Sequence, residues 1–211
     1  MHTIYEDDDL LVINKPSGVA SQGNDTNTNS LQTIATLQDA FLVHRLDQRV
    51  CGLMVMAKNK ESLTQLNRYF QTGMVQKNYR AIVGQLPPLD TDTLVHWLKK
   101  DTQKAKSKAF TTEVNQSKKA VLVYERIQSS QRYHLLQIAL QTGRFHQIRA
   151  QLSAIGCPIA GDIKYGFPRT LADGSILLQS YALQFAHPRT QTPLSFNLPI
   201  PESWKKYGFE A

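Results

Sequence analysis

The chain has 211 residues, with 24 lysines and arginines against 17 aspartates and glutamates, giving a formal net charge of +7 at pH 7. This length suits one sizeable domain, and we expect residues 1–211 to form a single domain. The acidic N-terminus MHTIYEDDDL is unlike a signal peptide, and no segment holds the ~18 apolar residues of a membrane span. The sequence therefore argues against secreted and membrane classes, predicts a cytosolic protein, and favours polyanionic partners.

The two cysteines, Cys51 and Cys157, lie far apart and outside any CxxC spacing. Neither a zinc site nor a disulfide framework is indicated by this pattern. We expect both to be reduced thiols.

The N-terminal residues predict a strand hairpin followed by a polar loop. Apolar residues 4–5 and 10–13 flank an acidic run at 6–9, which suits a tight hairpin with a solvated turn. Residues 21–30 have no apolar period and predict a loop. Ser30 can cap a short helix with one buried face, formed by Leu31, Ile34 and Leu37.

Two apolar runs at residues 41–43 and 53–56 predict strands on either side of Asp47. The loop between them would hold this acid at the strand ends. Asn59 can cap a helix that Gly73 ends. The buried stripe of this helix would consist of Leu63, Leu66 and Phe70.

The second half of the chain predicts mainly strands. They are expected at residues 79–83, 120–127 and 133–140, with a softer lysine-rich region over residues 87–108. A helix ending at Gly156 follows, with apolar positions at Phe145, Ile148, Leu152 and Ile155. Many strands with few helices predict an α+β fold with a largely antiparallel sheet, and argue against a doubly wound fold.

The stretch VHRLDQRVCGLMVMAKN, residues 43–59, sets Asp47 among cationic side chains. At ~4 Å and an effective dielectric of about 20, an aspartate–arginine pair gains roughly 4 kcal/mol, which favours the ionised acid. A carboxylate held in this way suits a nucleophile or a base. For a lone aspartate, however, a structural pair with Arg45 or Arg49 would be the commoner meaning.

Four motifs resemble, in the same order, those of the RluA-type pseudouridine synthases. The run HRLD with Gly52 resembles the HRLDxxTSG signature, and the others are VINKPSG, QKNYRAIVG and TGRFHQIRAQL. The resemblance covers residues 10–199. It implies a catalytic domain with a long mixed, mainly antiparallel sheet, flanked by helices and loops, with a central RNA cleft. No separate N-terminal RNA-binding domain is expected.

The resemblance also implies an isomerase that converts a uridine to pseudouridine in structured tRNA or rRNA. Asp47 matches the catalytic acid, which either attacks C1′ or abstracts a sugar proton. Arg149 matches the arginine that pairs with this acid, and Tyr79 matches the tyrosine that stacks on the base and can relay the C5 proton. No metal, nucleotide or redox cofactor is required by this reaction.

Further candidates would contact the RNA. Arg45 resembles the arginine that enters the base stack when the uridine is extruded. Arg144 and His146, near a helix start, could bind a phosphate through free N–H groups and cationic side chains. His146 and Arg149, three residues apart, would share one helix face. The remaining candidates are Lys15 and His44 at the cleft and Leu178 as an apolar wall.

The lysine run could contact the RNA backbone or form a solvated face; its members are Lys99, Lys100, Lys104, Lys106 and Lys108. Val50 and Cys51 stand where the family usually has small hydroxyl residues, and Gln179 stands where relatives commonly carry histidine. These departures are compatible with a divergent subgroup.

Two other functions are alternatives to the enzyme hypothesis. The same scaffold could serve as an RNA-binding or folding factor whose catalysis is lost or dispensable. A metal or hydrolytic site built from His44, Asp47 and His146 is weaker, because its spacing fits no helical ligand pair and no nucleophile motif accompanies it. A monomer is the default expectation for either function.

Overall fold

The structure is a computed structural model that describes residues 1–23, 30–31 and 40–210. The short helix predicted after Ser30 has Ile34 and Leu37 on its buried face, and these two residues lie outside the described residues. Two compact units are present, the first comprising Met1–Lys77 and Gln179–Leu198 and the second Asn78–Leu178 and Pro199–Ala211. The single domain expected from the sequence stays a prediction.

The first unit is a sheet with one helix. Its elements are β1 (His2–Glu6), β2 (Leu10–Lys15), β3 (Phe41–Leu42), β4 (Cys51–Ala57), α1 (Lys60–Thr72), β10 (Leu178–Ala186) and β11 (Pro193–Asn197). The first residue of β10, Leu178, is assigned to the second unit. The strand order is β1-β2-β4-β10, with β3 on β4 and β11 on β10. The β4–β10 pair is parallel, and the other pairs are antiparallel.

Helix α1 begins and ends as its sequence predicts. The side chain of Asn59 accepts a hydrogen bond from the Ser62 backbone N–H, and Gly73 adopts a left-handed conformation with its N–H donating to the Tyr69 carbonyl. The buried side of the helix, which includes Leu66 and Tyr69, packs in one core with alternate residues of the sheet. Those sheet residues are Leu10, Val12, Leu53, Val55, Ala57, Leu183 and Phe185.

The second unit is also mainly antiparallel sheet. Its elements are β5 (Gln76–Val83, from its third residue), β6 (Thr91–Asp101), β7 (Lys106–Phe110), β8 (Lys118–Ser129), β9 (His134–Leu140), α2 (Gln147–Ala154) and two 3₁₀ turns (Ile163–Tyr165 and Glu202–Tyr207). The strand order is β5-β9-β8-β6-β7. The two units confirm the predicted α+β class with a mixed, mainly antiparallel sheet. In the part of the chain that is described, no helix is long and apolar enough to cross a membrane.

The lysine-rich region is a strand hairpin, so the softer region predicted there is wrong. Leu94, His96 and Leu98 alternate as buried residues along β6. Lys99 faces Lys108 across the β6–β7 pair. Lysines suit β7 because it is the last strand of this unit's order, and charged side chains protect such an edge from pairing with other chains.

The turn between β1 and β2 is anchored, although its acids were predicted to be solvated. One carboxylate oxygen of Asp7 accepts hydrogen bonds from the backbone N–H groups of Asp9 and Leu10. The other oxygen accepts from the Tyr5 hydroxyl at 2.6 Å and from His187 Nε2 at 2.9 Å. The turn is therefore attached to the segment between β10 and β11.

Both ring nitrogens of His187 take part in this attachment. Its Nδ1 accepts from the backbone N–H groups of Arg189 and Thr190, so the proton lies on Nε2 and points at Asp7. Arg189 pairs with the buried Asp9 at 2.6 Å. Ligand-type atoms of Asp7, Asp9 and His187 lie within 4.8 Å of one another, but the protonated Nε2 is already a donor. The cluster therefore has a structural role, joining the β1–β2 turn to the segment between β10 and β11.

Replacement of Asp7 by Asn should weaken the first unit in a pH-dependent way. Burial raises the pKa of Asp7, but the hydrogen bonds from Tyr5, Leu10, Asp9 and His187 outweigh it and lower the pKa to about 2 from 3.8. A lowered folded-state pKa gives stability above the unfolded pKa that is lost as pH falls. Urea denaturation should show Asp7→Asn destabilised by about 2 kcal/mol at pH 6, with the difference shrinking between about pH 4 and pH 2.

The exposed neighbour Asp8 provides the matched control, because its side chain is 93% exposed. Asp8→Asn should leave the unfolding free energy nearly unchanged throughout this pH range. A constant difference between wild type and Asp7→Asn from pH 6 to pH 2 would contradict the assignment.

Candidate active site

Asp47 lies in the short loop that joins β3 to β4. The strands fix the loop ends, since Leu42 pairs with Met56 and β4 begins at Cys51. Within the loop, the Val50 backbone N–H donates to the Asp47 carbonyl at 3.0 Å, closing a tight turn. The carboxylate is half-buried at the end of a sheet strand. The predicted position of the acid is confirmed.

Ser21 holds the residue immediately before the acid. Its hydroxyl donates to the Leu46 carbonyl at 2.7 Å and accepts from the Leu46 N–H at 3.0 Å. Both backbone polar groups of the buried Leu46 are thereby satisfied. No sequence pattern indicates this contact, because Ser21 lies 25 positions before Leu46 in a polar segment.

Lys15 is buried beneath the same loop, with no exposed surface. Its ammonium group donates to the carbonyls of Pro16 at 2.9 Å, Val19 at 2.8 Å and Gln48 at 3.5 Å. Burial lowers the pKa of Lys15 to about 8, against the opposing influence of Cys51 and Asp47. The predicted RNA contact for Lys15 is therefore wrong, because all three donors of the ammonium face backbone oxygens inside the protein.

The turn after β2 and the Asp47 loop are also bonded directly. The Gly18 N–H donates to the Gln48 carbonyl at 2.8 Å, and the Gln48 side-chain amide donates back to the Gly18 carbonyl at 3.0 Å. Gly18 has φ of 88°, which favours glycine. The NKPSG motif therefore holds the HRLD loop in place through hydrogen bonds, and Lys15 is its main side-chain donor.

His44 and Arg45 have different surroundings. His44 Nε2 accepts from the Val55 N–H at 3.0 Å, and the ring stacks on Phe70 at 4.6 Å. Burial and the charge of Lys77 lower the pKa of His44 to about 3. His44 is therefore neutral and offers neither a positive charge to RNA nor this nitrogen to a metal. Arg45 is exposed and donates to the Gln22 side chain at 3.4 Å, so it remains able to reach a substrate.

Two of the residues that depart from the family pattern lie on neighbouring strands, β4 and β10. Cys51 lies opposite Gln179, and Gly52 lies opposite Ser180. Any side chain at Gly52 would collide with the Ser180 backbone, which gives a steric reason for the glycine in the motif. Val50 is buried. Two of the three departures from the family pattern are therefore neighbours, and the third packs into the core.

In the second unit, Arg149 is buried on α2, so its alternative as a surface helix residue is wrong. Its Nε and one terminal nitrogen donate to the two carboxylate oxygens of Asp162 at 2.7 and 2.9 Å. The guanidinium also lies over the ring of Tyr165, 4.9 Å from its centroid. Asp162 has no exposed surface. The expected pair between Arg149 and Asp47 stays a prediction.

His146 and Arg149 both contact Tyr165, although His146 precedes α2 and so does not share a helix face with Arg149 as predicted. The Tyr165 hydroxyl lies 3.0 Å from His146 Nδ1 and accepts from the Ser107 N–H at 2.8 Å. His146 precedes α2 with φ of 52° and stacks on Phe145. Asp162 and Tyr165 were missed by sequence reasoning. The only signal for them is the short polar segment between Gly161 and Gly166.

Arg144 does not offer the free backbone group that was predicted. Its N–H donates to the Gln147 side-chain oxygen at 2.9 Å, and its Nε donates to the Lys119 carbonyl at 3.0 Å. The Gln147 oxygen also accepts from the Thr142 hydroxyl. Phosphate binding through the Arg144 N–H is therefore wrong, while its exposed guanidinium keeps a cationic surface near α2.

Tyr79 and Leu178 are both buried. Tyr79 lies on β5 opposite Ile138 of β9, and Leu178 is the first residue of β10. These positions are compatible with an aromatic platform and an apolar wall. Their contacts with a substrate stay predictions.

Two hairpin lysines lie beside the Arg149 cluster. The Lys100 ammonium is 4.8 Å from the Phe145 ring centroid, and the Lys106 ammonium is 4.7 Å from that of Tyr165. Cation–π contacts of this kind leave other faces of the ammonium open to a phosphate. Lys100 and Lys106 are therefore members of the run that lie beside the residues around Arg149.

Comparisons with known proteins place this arrangement in one enzyme family. The family model for RNA pseudouridylate synthase matches residues 9–154. The uncharacterized RNA pseudouridine synthase YlyB of Bacillus subtilis is 33% identical over 210 residues, covering 94% of this chain and 68% of the relative. Ribosomal large subunit pseudouridine synthase D of Vibrio cholerae is 32% identical over 225 residues, covering 96% and 68%.

Solved structures agree with the sequence relatives. Human RNA pseudouridylate synthase domain containing 4 superimposes with a TM-score of 0.77 at 25% identity, covering 97% of this chain and 90% of that one. Human RNA pseudouridylate synthase domain containing 1 has the same fold, with a TM-score of 0.77 at 21% identity. The fold and the site thus define an isomerase that acts on uridine in RNA. The chain belongs to the RNA pseudouridylate synthase family.

Replacement of Lys15 by Met should separate support of the loop from RNA binding. The change removes the side-chain donor from the Pro16 and Val19 carbonyls and leaves the Gln48 carbonyl with the Gly18 N–H, so we expect a loss of about 2–3 kcal/mol in unfolding free energy. Displacement of the Asp47 loop should lower turnover on the order of 10²-fold. Because Lys15 does not reach the surface, RNA affinity measured by fluorescence anisotropy should change less than about twofold.

Lys58→Met is the control, since this lysine of the same unit is a third exposed and pairs with Glu6 at the surface. It should alter stability by no more than about 1 kcal/mol. Weaker RNA binding by Lys15→Met with unchanged turnover would restore the original assignment of Lys15 to RNA.

Proposed function

We propose that this protein isomerises one specific uridine to pseudouridine in a structured tRNA or rRNA, with Asp47 as the catalytic residue. The observation that carries the proposal is the support of the Asp47 loop from Lys15, Gly18 and Ser21. Such support is expected for a reacting group, because catalysis requires a carboxylate held within a fraction of an ångström.

The reaction breaks the N1–C1′ bond, turns the base, forms a C5–C1′ bond, and transfers the C5 proton away while N1 gains one. Asp47 either attacks C1′ or removes a sugar proton to give a glycal-like intermediate, and both routes need the ionised carboxylate. Tyr79 stacks on the base and relays the C5 proton. Arg149 pairs with Asp47, and the Asp162 carboxylate and Tyr165 ring fix the direction of its guanidinium.

Extrusion of the target uridine costs a few kcal/mol of unstacking that protein contacts must offset. Arg45 is exposed beside Asp47 and takes the place of the extruded base in the stack. Leu178 forms an apolar wall that keeps the detached base in place. Arg144, Lys100 and Lys106 contact the flanking phosphates.

Ribosomal RNA is favoured as the target class, because relatives from Vibrio, Neisseria and Rickettsia are named ribosomal large subunit synthases. The protein acts as a cytosolic monomer without a bound cofactor. The pairing of Cys51 with Gln179 beside the loop gives this chain a local environment that differs from the usual hydroxyl and histidine residues.

An RNA-binding or folding factor remains the second candidate, and the departures at Val50, Cys51 and Gln179 are the observation that favours it. Such a factor would bind the same RNA through the cationic side chains and would not require Asp47 as an acid. The two functions therefore differ in a single measurable property.

Asp47→Asn should abolish isomerisation and spare RNA binding. The amide keeps the shape of the side chain but is neither a nucleophile nor a base, so we expect a loss of roughly 10²- to 10⁴-fold in rate. The assay is release of tritium from RNA that carries [5-³H]uridine, prepared from cells lacking the gene. RNA affinity should remain within about threefold of wild type.

Asp92→Asn is the matched control, since it removes one carboxylate from β6 in the second unit and should leave the rate unchanged. Equal tritium release from wild type and Asp47→Asn would remove Asp47 from the mechanism. No release from wild type, together with tight RNA binding, would favour the binding factor.

The hairpin lysines should contribute to the salt dependence of RNA binding. With about four to six phosphates neutralised, the slope of log affinity against log salt should lie near −3 to −4 for single-stranded RNA. Lys100→Gln with Lys106→Gln should reduce the magnitude of the slope by about 1.4. The control pair Lys60→Gln and Arg68→Gln, on the exposed side of α1, should leave it unchanged. Equal slopes for both pairs would make the hairpin a merely solvated face.

A further inference from the structure

A cavity of about 680 Å³ opens within the second unit. Four chain segments line it: the residues after β5, the β8–β9 turn, the C-terminal end of α2, and the residues around the first 3₁₀ turn. The lining residues that carry the argument are Gly84, Arg132, Tyr133, Tyr165, Phe167 and Arg169. This volume lies in the range of sites that bind small organic groups.

The charged side chains that line the cavity are all positive. Arg132 and Arg169 line it, and no carboxylate is found among its lining residues. Both arginines are exposed, and Arg169 donates to the Tyr133 hydroxyl at 3.3 Å. Two guanidinium groups without an acidic partner in the lining favour an anionic ligand, and planar guanidinium groups suit phosphate.

The walls of the cavity are aromatic. Tyr133 makes an edge-to-face contact with Tyr207, with ring centroids 5.3 Å apart, which fixes its ring. Phe167 lies over Gly84, where a Cβ would come within 2.8 Å of the Phe167 ring. Gly84 therefore has to be glycine for Phe167 to occupy its place. Flat apolar walls beside cations are the combination that binds unpaired bases and their phosphates.

We propose that this cavity binds an unpaired nucleotide of the RNA substrate, at a point separate from the target uridine. The base stacks against Tyr133 or Phe167, and Arg132 and Arg169 bind the adjacent phosphates. The exposure of both arginines suits a phosphodiester chain that continues across the surface, which a free nucleotide does not need. The inference rests on RNA as the substrate of the proposed function, but not on Asp47 as its catalyst.

The cavity also reaches the Arg149 cluster. Tyr165 lines the cavity and lies beneath the Arg149 guanidinium, 4.9 Å from it. The Phe167 N–H donates to the carbonyl of Asp162, the residue that binds Arg149. A nucleotide in the cavity therefore contacts the segment that orients Arg149, and its binding fixes where the RNA strand lies relative to this arginine.

The test measures binding of a short fluorescein-labelled oligoadenylate, which holds no uridine and so reports no catalysis. Arg132→Gln with Arg169→Gln should weaken binding about tenfold and reduce the magnitude of the salt slope by about 1.4. Phe167→Leu should weaken binding roughly fivefold or more through lost stacking, with an unchanged slope. The control pair Lys60→Gln and Arg68→Gln removes the same charge from α1 and should change affinity less than twofold.

Equal affinities for the arginine pair and the control pair would overturn the proposal. So would displacement of the oligoadenylate by adenosine monophosphate at equal concentration of nucleotide, because that outcome assigns the cavity to a free nucleotide. If the thermal melting curve shows that Phe167→Leu does not fold, the test is the salt slope of the variant with Arg132→Gln and Arg169→Gln. An inactive wild-type enzyme that still shows the difference between the two pairs would refute the proposed catalysis and leave this inference standing.

Discussion

The buried ammonium of Lys15 is the interaction on which the geometry of the first unit depends. Its three hydrogen bonds join the end of β2, the turn after it and the loop that contains Asp47. A charged group without exposed surface persists only when polar partners replace its water. Here the partners are backbone carbonyls, so the lysine fixes the path of the main chain beside the acid.

In the second unit, the charge of a buried arginine is compensated by a buried aspartate. Arg149 and Asp162 are bonded through two hydrogen bonds, and the Tyr165 ring lies against the guanidinium. Loss of one partner from such a pair leaves an uncompensated charge, which typically costs 3–5 kcal/mol. The arginine is therefore held in one orientation, and the same segment forms a wall of the arginine-lined cavity. The orientation of Arg149 and the shape of the cavity therefore depend on the same segment.

Local signals predicted most of the fold, because they depend on neighbours in sequence. The strands around Asp47 and the helix between Asn59 and Gly73 follow from apolar periodicity and capping. The lysine-rich hairpin was missed because its charged edge residues obscured the alternation of buried positions. The contact of Lys15 with Gln48 and that of Arg149 with Asp162 join residues 33 and 13 positions apart, which periodicity cannot reveal.

The most direct test of the central claim is a pseudouridine map of total RNA from the source organism. The gene is deleted, then restored as wild type or as Asp47→Asn. A site that disappears on deletion and returns only with the wild-type gene is the predicted result, and it would identify the target uridine. An unchanged map, or a site restored equally by Asp47→Asn, would contradict the assignment of this protein as an enzyme that works through Asp47.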